Sequence, residues 1–487
     1  MKKTYYITTA IDYVNSVPHV GHAYEKILAD VLARWKRLEE YDVYFLTGTD
    51  ENAQKNAQVA KEKGVNVKKF VDENSKKFED LCKELNLSND DFIKTTEERH
   101  VKVAKLIFQK IYDKGDIYKK KYSGLYCLGC EAFLTEKDLV NGKCPEHNKE
   151  PKIVEEENYF FKLSKYEKEI LKLVSSNNFI VPEGFRKEII NRIKQEGLKD
   201  ISVSRPNLDW GITTPIDDDH KIYVWIDALS NYISALDYPN GVKFKKYWPA
   251  IHVIGKGINW FHTVIWPGIL ISAGIELPKQ VVVHGYLTFN GQKISKSLGN
   301  AIDPREIIKK YGVDPVRYTL LKDMCYNQDG DFSEESLKER TNNELANDLG
   351  NLLSRTLTLC EKYYNGKIKK QKDDGLVGDL DLEKIQKLID SYELHNALEE
   401  IWKIVRTANK YVNEKEPWKN EKDREIVLYN LLESLRIINV LIFSFIPATA
   451  EKISKQLNVK IGNLKDIKFG KVKEYSVKKE GILFEKI

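Results

Sequence analysis

The sequence predicts an α/β protein: a parallel-sheet domain split by an insertion, followed by an all-α helical bundle. Three observations carry the prediction. Over residues 4 to about 115, apolar strand-like runs alternate with segments of helical period, the pattern of βαβ units. From Tyr118 to about Asp209 the texture changes to cysteine, glycine and short strands, after which strand candidates return. Beyond about Glu334, apolar residues recur at helical spacing in three stripes, and each stripe must bury its face against another. At 487 residues, 42% hydrophobic and 31% charged, the chain is long enough for two or three domains and reads as globular.

Taken in order, Tyr5-Tyr6-Ile7-Thr8-Thr9-Ala10 reads as a buried strand. The helix that follows His19-Val20-Gly21-His22 carries its apolar face at Ile27, Leu28, Val31, Leu32, Trp35 and Leu38, close to a 3.6 period. Tyr41 to Leu46 is a second strand, with helices near 67–86 and 97–113. After the insertion, strands are expected at 222–227, 251–255 and 281–287, with an apolar helix around 260–273. The bundle stripes run through Leu345, Leu349, Leu352, Leu353 and Leu357, through Leu398, Ile401, Trp402, Ile404 and Val405, and through Ile426 to Leu441. Residues 366–378 read as a loop, and the last 30 as a closing hairpin or an extended tail. The expected organisation is a Rossmann-type domain at 1–117 and 222–290, an insertion at 118–221, a linking segment at 291–340 and a helical domain at 341–487.

Cys127-Leu128-Gly129-Cys130 and Cys144-Pro145-Glu146-His147 are two knuckles that give four soft ligands for a tetrahedral metal. A redox CxxC would leave the second pair unexplained. Structural Zn²⁺ on Cys127, Cys130, Cys144 and His147 is expected, with no open position for catalysis. His19 and His22 sit where a helix N-terminus offers unpaired N–H groups to a phosphate. Lys293-Ile294-Ser295-Lys296-Ser297 places two lysines and two hydroxyls after another strand candidate. Alone, the first motif reads equally as a helix start with incidental histidines and the second more often as a solvated loop; together and in this order they resemble a class I aminoacyl-tRNA synthetase.

The remaining bulk features narrow the field. A net charge of +5 permits nucleic acid without demanding it. The start, Met-Lys-Lys-Thr, has no signal-peptide pattern, and Val440 to Ile446 is too short to span a bilayer. Six cysteines, three of them clustered, do not suggest a disulfide framework. A cytoplasmic location without membrane attachment is expected.

The resemblance becomes specific with Ala10-Ile11-Asp12-Tyr13-Val14-Asn15, Thr47-Gly48-Thr49-Asp50-Glu51, Val224-Trp225-Ile226-Asp227-Ala228, Ile254-Gly255-Lys256, Phe261-His262 and Trp266-Pro267. This set resembles the methionyl-tRNA synthetase family over essentially the whole chain, in its single-zinc form. The resemblance implies a methionine pocket of Ala10, Ile11, Tyr13, Trp225, Ala228, Tyr232, Ile258 and His262, with Asp50 holding the substrate ammonium. It implies ATP binding by His19, Gly21, His22, Lys256, Lys293, Ser295, Lys296 and Ser297, with Mg²⁺ accompanying the ATP. His19, His22, Lys293 and Lys296 would stabilise charge as the methionine carboxylate displaces pyrophosphate. Asn351, Arg355 and Trp418 match anticodon-contacting positions, so tRNA(Met) is the implied partner. Without the resemblance, Trp225 and Tyr232 read as core packing, Asp50 as a turn or N-cap, Arg355 as a surface charge and Trp418 as a helix-end aromatic. The family's further C-terminal tRNA-binding module has no counterpart here, so a monomer is expected.

Two departures stand out. Ile294 replaces the usual methionine of the signature loop, a volume-conserving swap. Gly255-Lys256-Gly257 stands where the family carries Gly-Lys-Asp, so one carboxylate of the adenylate site is missing. The rival readings are another class I synthetase, a small-substrate nucleotidyltransferase and a non-catalytic RNA-binding relative. A nucleotidyltransferase leaves the helical domain unexplained, and a non-catalytic relative is disfavoured by the retention of His19, His22 and Lys296.

Overall fold

The structure is a computed structural model describing residues 2–128, 132–145, 148–289, 291–293, 303–378 and 380–487. Six strands form its central sheet: β1 (Thr4–Tyr13), β2 (Asp42–Asp50), β3 (Asp91–Lys94), β4 (Ile180–Val181), β5 (Ile251–Gly255) and β6 (Gln280–His284). All pair in parallel, in the order β3-β2-β1-β5-β6-β4. Winding therefore reverses between β1 and β5, which opens a crevice at the carboxyl ends of those two strands.

Helices cover both faces, so the strands are apolar on both sides. Tyr5, Ile7, Val43, Phe45, Val253 and Val282 pack on one face against α1 (Val20–Leu38). Tyr6, Tyr44, Leu46, Ile254, Val281 and Val283 face the other way, in the same core as α3 (Glu98–Asp113), α4 (Val224–Ser234) and α5 (Trp266–Ala273). The alternation follows from the two-residue period of a strand. Between β2 and β3 lies α2 (Val67–Glu84), and α6 (Val313–Asp323) follows β6 in the chain. The insertion is a four-stranded antiparallel sheet dominated by the pair Ile117–Cys127 and Lys152–Phe161.

The chain then becomes helical. A π-helical stretch, Thr341–Gly350, runs into α7 (Asn351–Tyr364), followed by α8 (Leu382–Asp390), α9 (Leu394–Lys415), α10 (Arg424–Ile442) and α11 (Pro447–Leu457). Apart from the half-buried Ile426, the apolar residues of the stripes read from the sequence are buried here, and their core is continuous with the α1 side of the sheet.

Three sequence expectations need correction. Strand structure at 222–227 is confined to His220–Ile222; Val224 onward winds as α4. Every residue of α4 is buried, so it has no polar face and no helical period to read. The strand expected at 281–287 stops at His284; Gly285 then passes so close to residue 328 that a side chain there would meet the Gln328 carbonyl at 2.1 Å, and Leu287–Phe289 pairs with Gly330–Phe332. Within 366–378, Lys367–Lys369 is a strand, and its partner is Glu474–Ser476. The late strand thus closes on a distant loop instead of forming its own hairpin.

Candidate functional site at the sheet crevice

The crevice is shaped by a bulge in β1. Thr8 pairs with Leu46 and Ile11 with Gly48, which leaves two residues of β1, Thr9 and Ala10, against one of β2, Thr47. The extra residue redirects Ala10, Ile11, Asp12 and Tyr13, as bulges do near sites. Glu25 of α1 satisfies the backbone this exposes: its carboxylate accepts the N–H of Ala10 (3.0 Å) and of Gly255 (3.1 Å). His284 Nε2 lies 3.2 Å from the same group. One buried carboxylate therefore ties together the ends of β1, β5 and β6.

His19 is the N-cap of α1 and His22 its third residue, and the two form a reciprocal capping box. His19 Nδ1 accepts the Gly21 N–H (3.2 Å), and His22 Nδ1 accepts the His19 N–H (3.0 Å). The rings stack with centroids 3.7 Å apart. A side chain at Gly21 would lie 3.0 Å from the His19 ring, so glycine is what leaves room for that ring. Both imidazoles are thereby fixed at a helix terminus whose dipole favours anions.

α4 and the turn before α5 build a buried aromatic cluster. Trp225, Ala228 and Tyr232 stand at i, i+3 and i+7 on α4 and share a face. His262 sits on a π-helical turn, Phe261–Ile265, just before α5. Tyr232 Oη lies 2.7 Å from His262 Nε2, and His262 Nδ1 lies 2.9 Å from the Ile258 carbonyl. That carbonyl can only accept, so Nδ1 carries the proton and Nε2 accepts from the phenol. Burial pushes the His262 imidazole down to about 4, so the ring is neutral. Trp225 stacks on Phe261 with centroids 3.4 Å apart. Ala10, Trp225 and Tyr232 share one apolar cluster, against which Ile11, Tyr13 and Ile258 pack. Asp50 ends β2 and is buried at 1% exposure.

On the far side, Lys256 Nζ pairs with Asp329 at 2.7 Å and lies 4.5 Å from the Tyr286 ring centroid. A side chain at Gly257 would meet the Tyr286 hydroxyl at 2.5 Å, so that phenol fills the room where the family's carboxylate would begin. Lys293 lies in a short strand, Gln292–Lys293, while Ile294, Ser295, Lys296 and Ser297 are outside the described residues.

In the helical region Asn351 and Arg355 stand one turn apart on α7. The Arg355 guanidinium lies 5.7 Å from the Trp418 ring centroid and donates to Asn413 Oδ1 at 2.8 Å. Trp418 is 36% exposed beyond the left-handed Glu416 that ends α9. In the insertion, Cys127 and Cys144 are buried. Cys144 N donates to the Lys149 carbonyl and Asn148 N to the Cys144 carbonyl, folding the chain back after the cysteine. Cys130 and His147 lie outside the described residues, and among the described residues no group of three or more His, Cys, Asp or Glu is placed to hold a metal.

Sequence reasoning missed Glu25, Asp12, Lys26 and Tyr286. The available signal was two adjacent charges, Glu25-Lys26, inside a helix turn that is otherwise buried. Tyr286 carried no signal, because its role depends on the turn at Gly285.

The family model described as class I tRNA synthetases (M) matches residues 5–152 and 139–357. The methionine–tRNA ligase of Caldanaerobacter subterraneus subsp. tengcongensis is 48% identical over 100% of this chain and 79% of its own length. That of Clostridium perfringens is 46% identical over 100% of this chain and 78% of its own. Among solved structures, Mycobacterium tuberculosis methionyl-tRNA synthetase in complex with methionyl-adenylate superimposes with a TM-score of 0.95 at 39% identity, covering 99% of each chain. The free form of that enzyme gives 0.87 at 37% identity, covering 100% of this chain and 99% of its own.

Proposed function

The chain belongs to the methionyl-tRNA synthetase family of class I, and from that premise we propose that it is a methionine–tRNA ligase acting through the crevice described above. In the first step the carboxylate of methionine attacks the α-phosphorus of ATP, forming methionyl-adenylate and releasing pyrophosphate. In the second, a hydroxyl of the terminal ribose of tRNA(Met) takes the methionyl group and AMP leaves. The observation that carries the reading is the neutral Tyr232–His262 pair in an otherwise apolar, aromatic cluster. A thioether is apolar and polarizable, so it suits aromatic walls and a hydroxyl, where a charged side chain would not.

The residues divide the work as follows. Ala10, Ile11, Tyr13, Trp225, Ala228, Tyr232, Ile258 and His262 line the methionine side chain, and Asp50 receives its ammonium group. His19 and His22, at the amino end of α1, bind phosphate oxygens, and Gly21 lets the backbone approach. Lys256, Lys293 and Lys296 with the Ser295 and Ser297 hydroxyls complete the triphosphate grip. Charge grows on the α-phosphate and leaving oxygens in the transition state. Fixed cationic and N–H donors lower that barrier electrostatically, with no covalent nucleophile required. Mg²⁺ bound with the triphosphate would screen its charge.

Asn351, Arg355 and Trp418 are assigned to the anticodon. An indole with an arginine over its face is the chemistry that stacks an unpaired base and reads its edge. Trp418→Ala is expected to spare methionine activation and impair aminoacylation of tRNA(Met) by about tenfold or more, consistent with the ~1–3 kcal/mol of a base stack. Unchanged aminoacylation kinetics would count against the assignment. Cys127, Cys130, Cys144 and His147 have the donor chemistry of a closed structural Zn²⁺ site, which would brace the insertion without joining the reaction. The reading includes a monomeric, cytoplasmic protein; no helix among the described residues is long and apolar enough to cross a membrane.

ATP–pyrophosphate exchange with each of the twenty amino acids tests the reading. Exchange with methionine alone supports it. Exchange with another amino acid, or with none, overturns the pocket assignment.

A further inference from the structure

We propose that Asp12, held by the buried ammonium of Lys26, is a positioning residue that fixes His22 as a neutral ring with its proton on Nε2. The inference rests on the reading of His22 as a phosphate-binding group and adds how that group is kept ready.

His22 and Lys26 stand four apart on α1, hence on one face. Both face Asp12, which lies in β1 beyond the bulge. Lys26 is fully enclosed, and its Nζ donates to Asp12 Oδ2. His22 Nε2 lies 3.8 Å from the other carboxylate oxygen, Oδ1. The second ring nitrogen, Nδ1, accepts the backbone N–H of His19. An accepting Nδ1 carries no proton, so the neutral ring bears its proton on Nε2, the nitrogen that faces the carboxylate. The backbone thus selects the tautomer, and the Asp12 carboxylate, 3.8 Å away, favours the same one electrostatically.

Lys26 supplies the balance. A bare carboxylate 3.8 Å from the ring would favour the imidazolium form, which cannot accept the His19 N–H and would break the capping box. The ammonium of Lys26 offsets the carboxylate and keeps the ring neutral. Titratable or charged groups around this cluster include His19, stacked on His22; Glu25, on the same helix; Cys82 of α2, beside Lys26; and Tyr232 of α4, which Asp12 and Glu25 both influence. Phe78 of α2 closes His22 edge-on, with centroids 5.3 Å apart.

The test is methionine-dependent ATP–pyrophosphate exchange measured against pH for the wild type, Asp12→Asn and Lys26→Met. Loss of the neutral form of His22 sets an acid limb in kcat. Asp12→Asn removes the attraction for the ring proton, so the limb moves to lower pH while kcat at the plateau falls several-fold and KM for methionine holds. Lys26→Met leaves the carboxylate uncompensated, so the limb moves to higher pH. A merely structural ion pair would lower stability and rate in both variants without moving the limb in either. If Lys26→Met fails to fold, the limb of Asp12→Asn decides: displaced to lower pH it supports the inference, and unmoved it overturns it. Wild-type exchange with unmoved limbs in folded variants overturns this inference alone. A wild type without methionine-dependent exchange overturns the functional reading instead.

Discussion

His262 is the residue whose charge state most constrains the pocket. Its pKa is lowered by burial from 6.5 to about 4, so the folded protein resists protonation there more than the unfolded chain does. Stability from a neutral buried imidazole is fully present above pH 6.5 and is lost as pH falls through 6.5 toward 4. The loss is at most about 3 kcal/mol, from 1.36 kcal/mol per pKa unit. Thermal melts across this window should show the wild type losing Tm more steeply than His262→Phe; parallel slopes would remove His262 as the source. Gly257 poses a steric question. A Cβ there meets the Tyr286 hydroxyl at 2.5 Å, so restoring the family's carboxylate by Gly257→Asp should cost about 1–3 kcal/mol through overpacking. Adding Tyr286→Phe removes the obstructing oxygen and should recover most of that loss in a urea titration. A Gly257→Asp variant as stable as the wild type would show that the phenol moves aside freely.

At the scale of elements, the crevice depends on how β1 and α1 meet. Glu25 accepts N–H groups from β1 and β5, the former freed by the bulge, so its removal strands buried donors. Glu25→Ala is expected to lower the unfolding free energy by about 3 kcal/mol, and Glu25→Gln, which keeps an acceptor, by about half of that. Equal losses in urea unfolding would mean that the carboxylate serves only to fill space. The same two elements show how far the sequence could be read. The apolar run of β1, the 3.6 period of α1 and the two signature motifs are local patterns, and each was visible in the chain. The bulge was not, because its signal is a register against β2, formed with residues 38 positions away at Thr8 and 37 at Ile11. α4 was mistaken for a strand because burial on every side erases the polar face that marks a helix. The Tyr232–His262 hydrogen bond joins two motifs that were visible separately. The Asp12–Lys26 pair was hidden because two opposite charges in apolar segments carry no period of their own.

At the scale of the whole molecule, the helical bundle and the catalytic sheet share one apolar core, and Arg317 is the polar member that pins them together. It lies on α6, fully enclosed, and donates to four acceptors. Nε reaches the Phe445 carbonyl (2.8 Å), Nη1 the Leu85 carbonyl (3.0 Å), and Nη2 both Asp30 (2.7 Å) and the Ser444 carbonyl (3.1 Å). These acceptors come from α1, from the ends of α2 and α10, and so from both parts of the chain. Asp30 keeps Arg34 and Ser88 as partners if Arg317 is lost, so the buried carboxylate is not abandoned. The three carbonyls, all on buried residues, lose this donor. Arg317→Met fills the volume but supplies no donor, and should destabilise the protein by about 3–5 kcal/mol, from ~1–3 kcal/mol for each buried acceptor left unpaired. The loss falls on the seam between sheet and bundle, while the cores on either side keep their packing. Unfolding followed by far-UV circular dichroism and by tryptophan fluorescence should then cease to coincide, with the bundle and the sheet melting at different urea concentrations. Coincident transitions at the wild-type midpoint would mean that the shared apolar core holds the two parts together without the arginine.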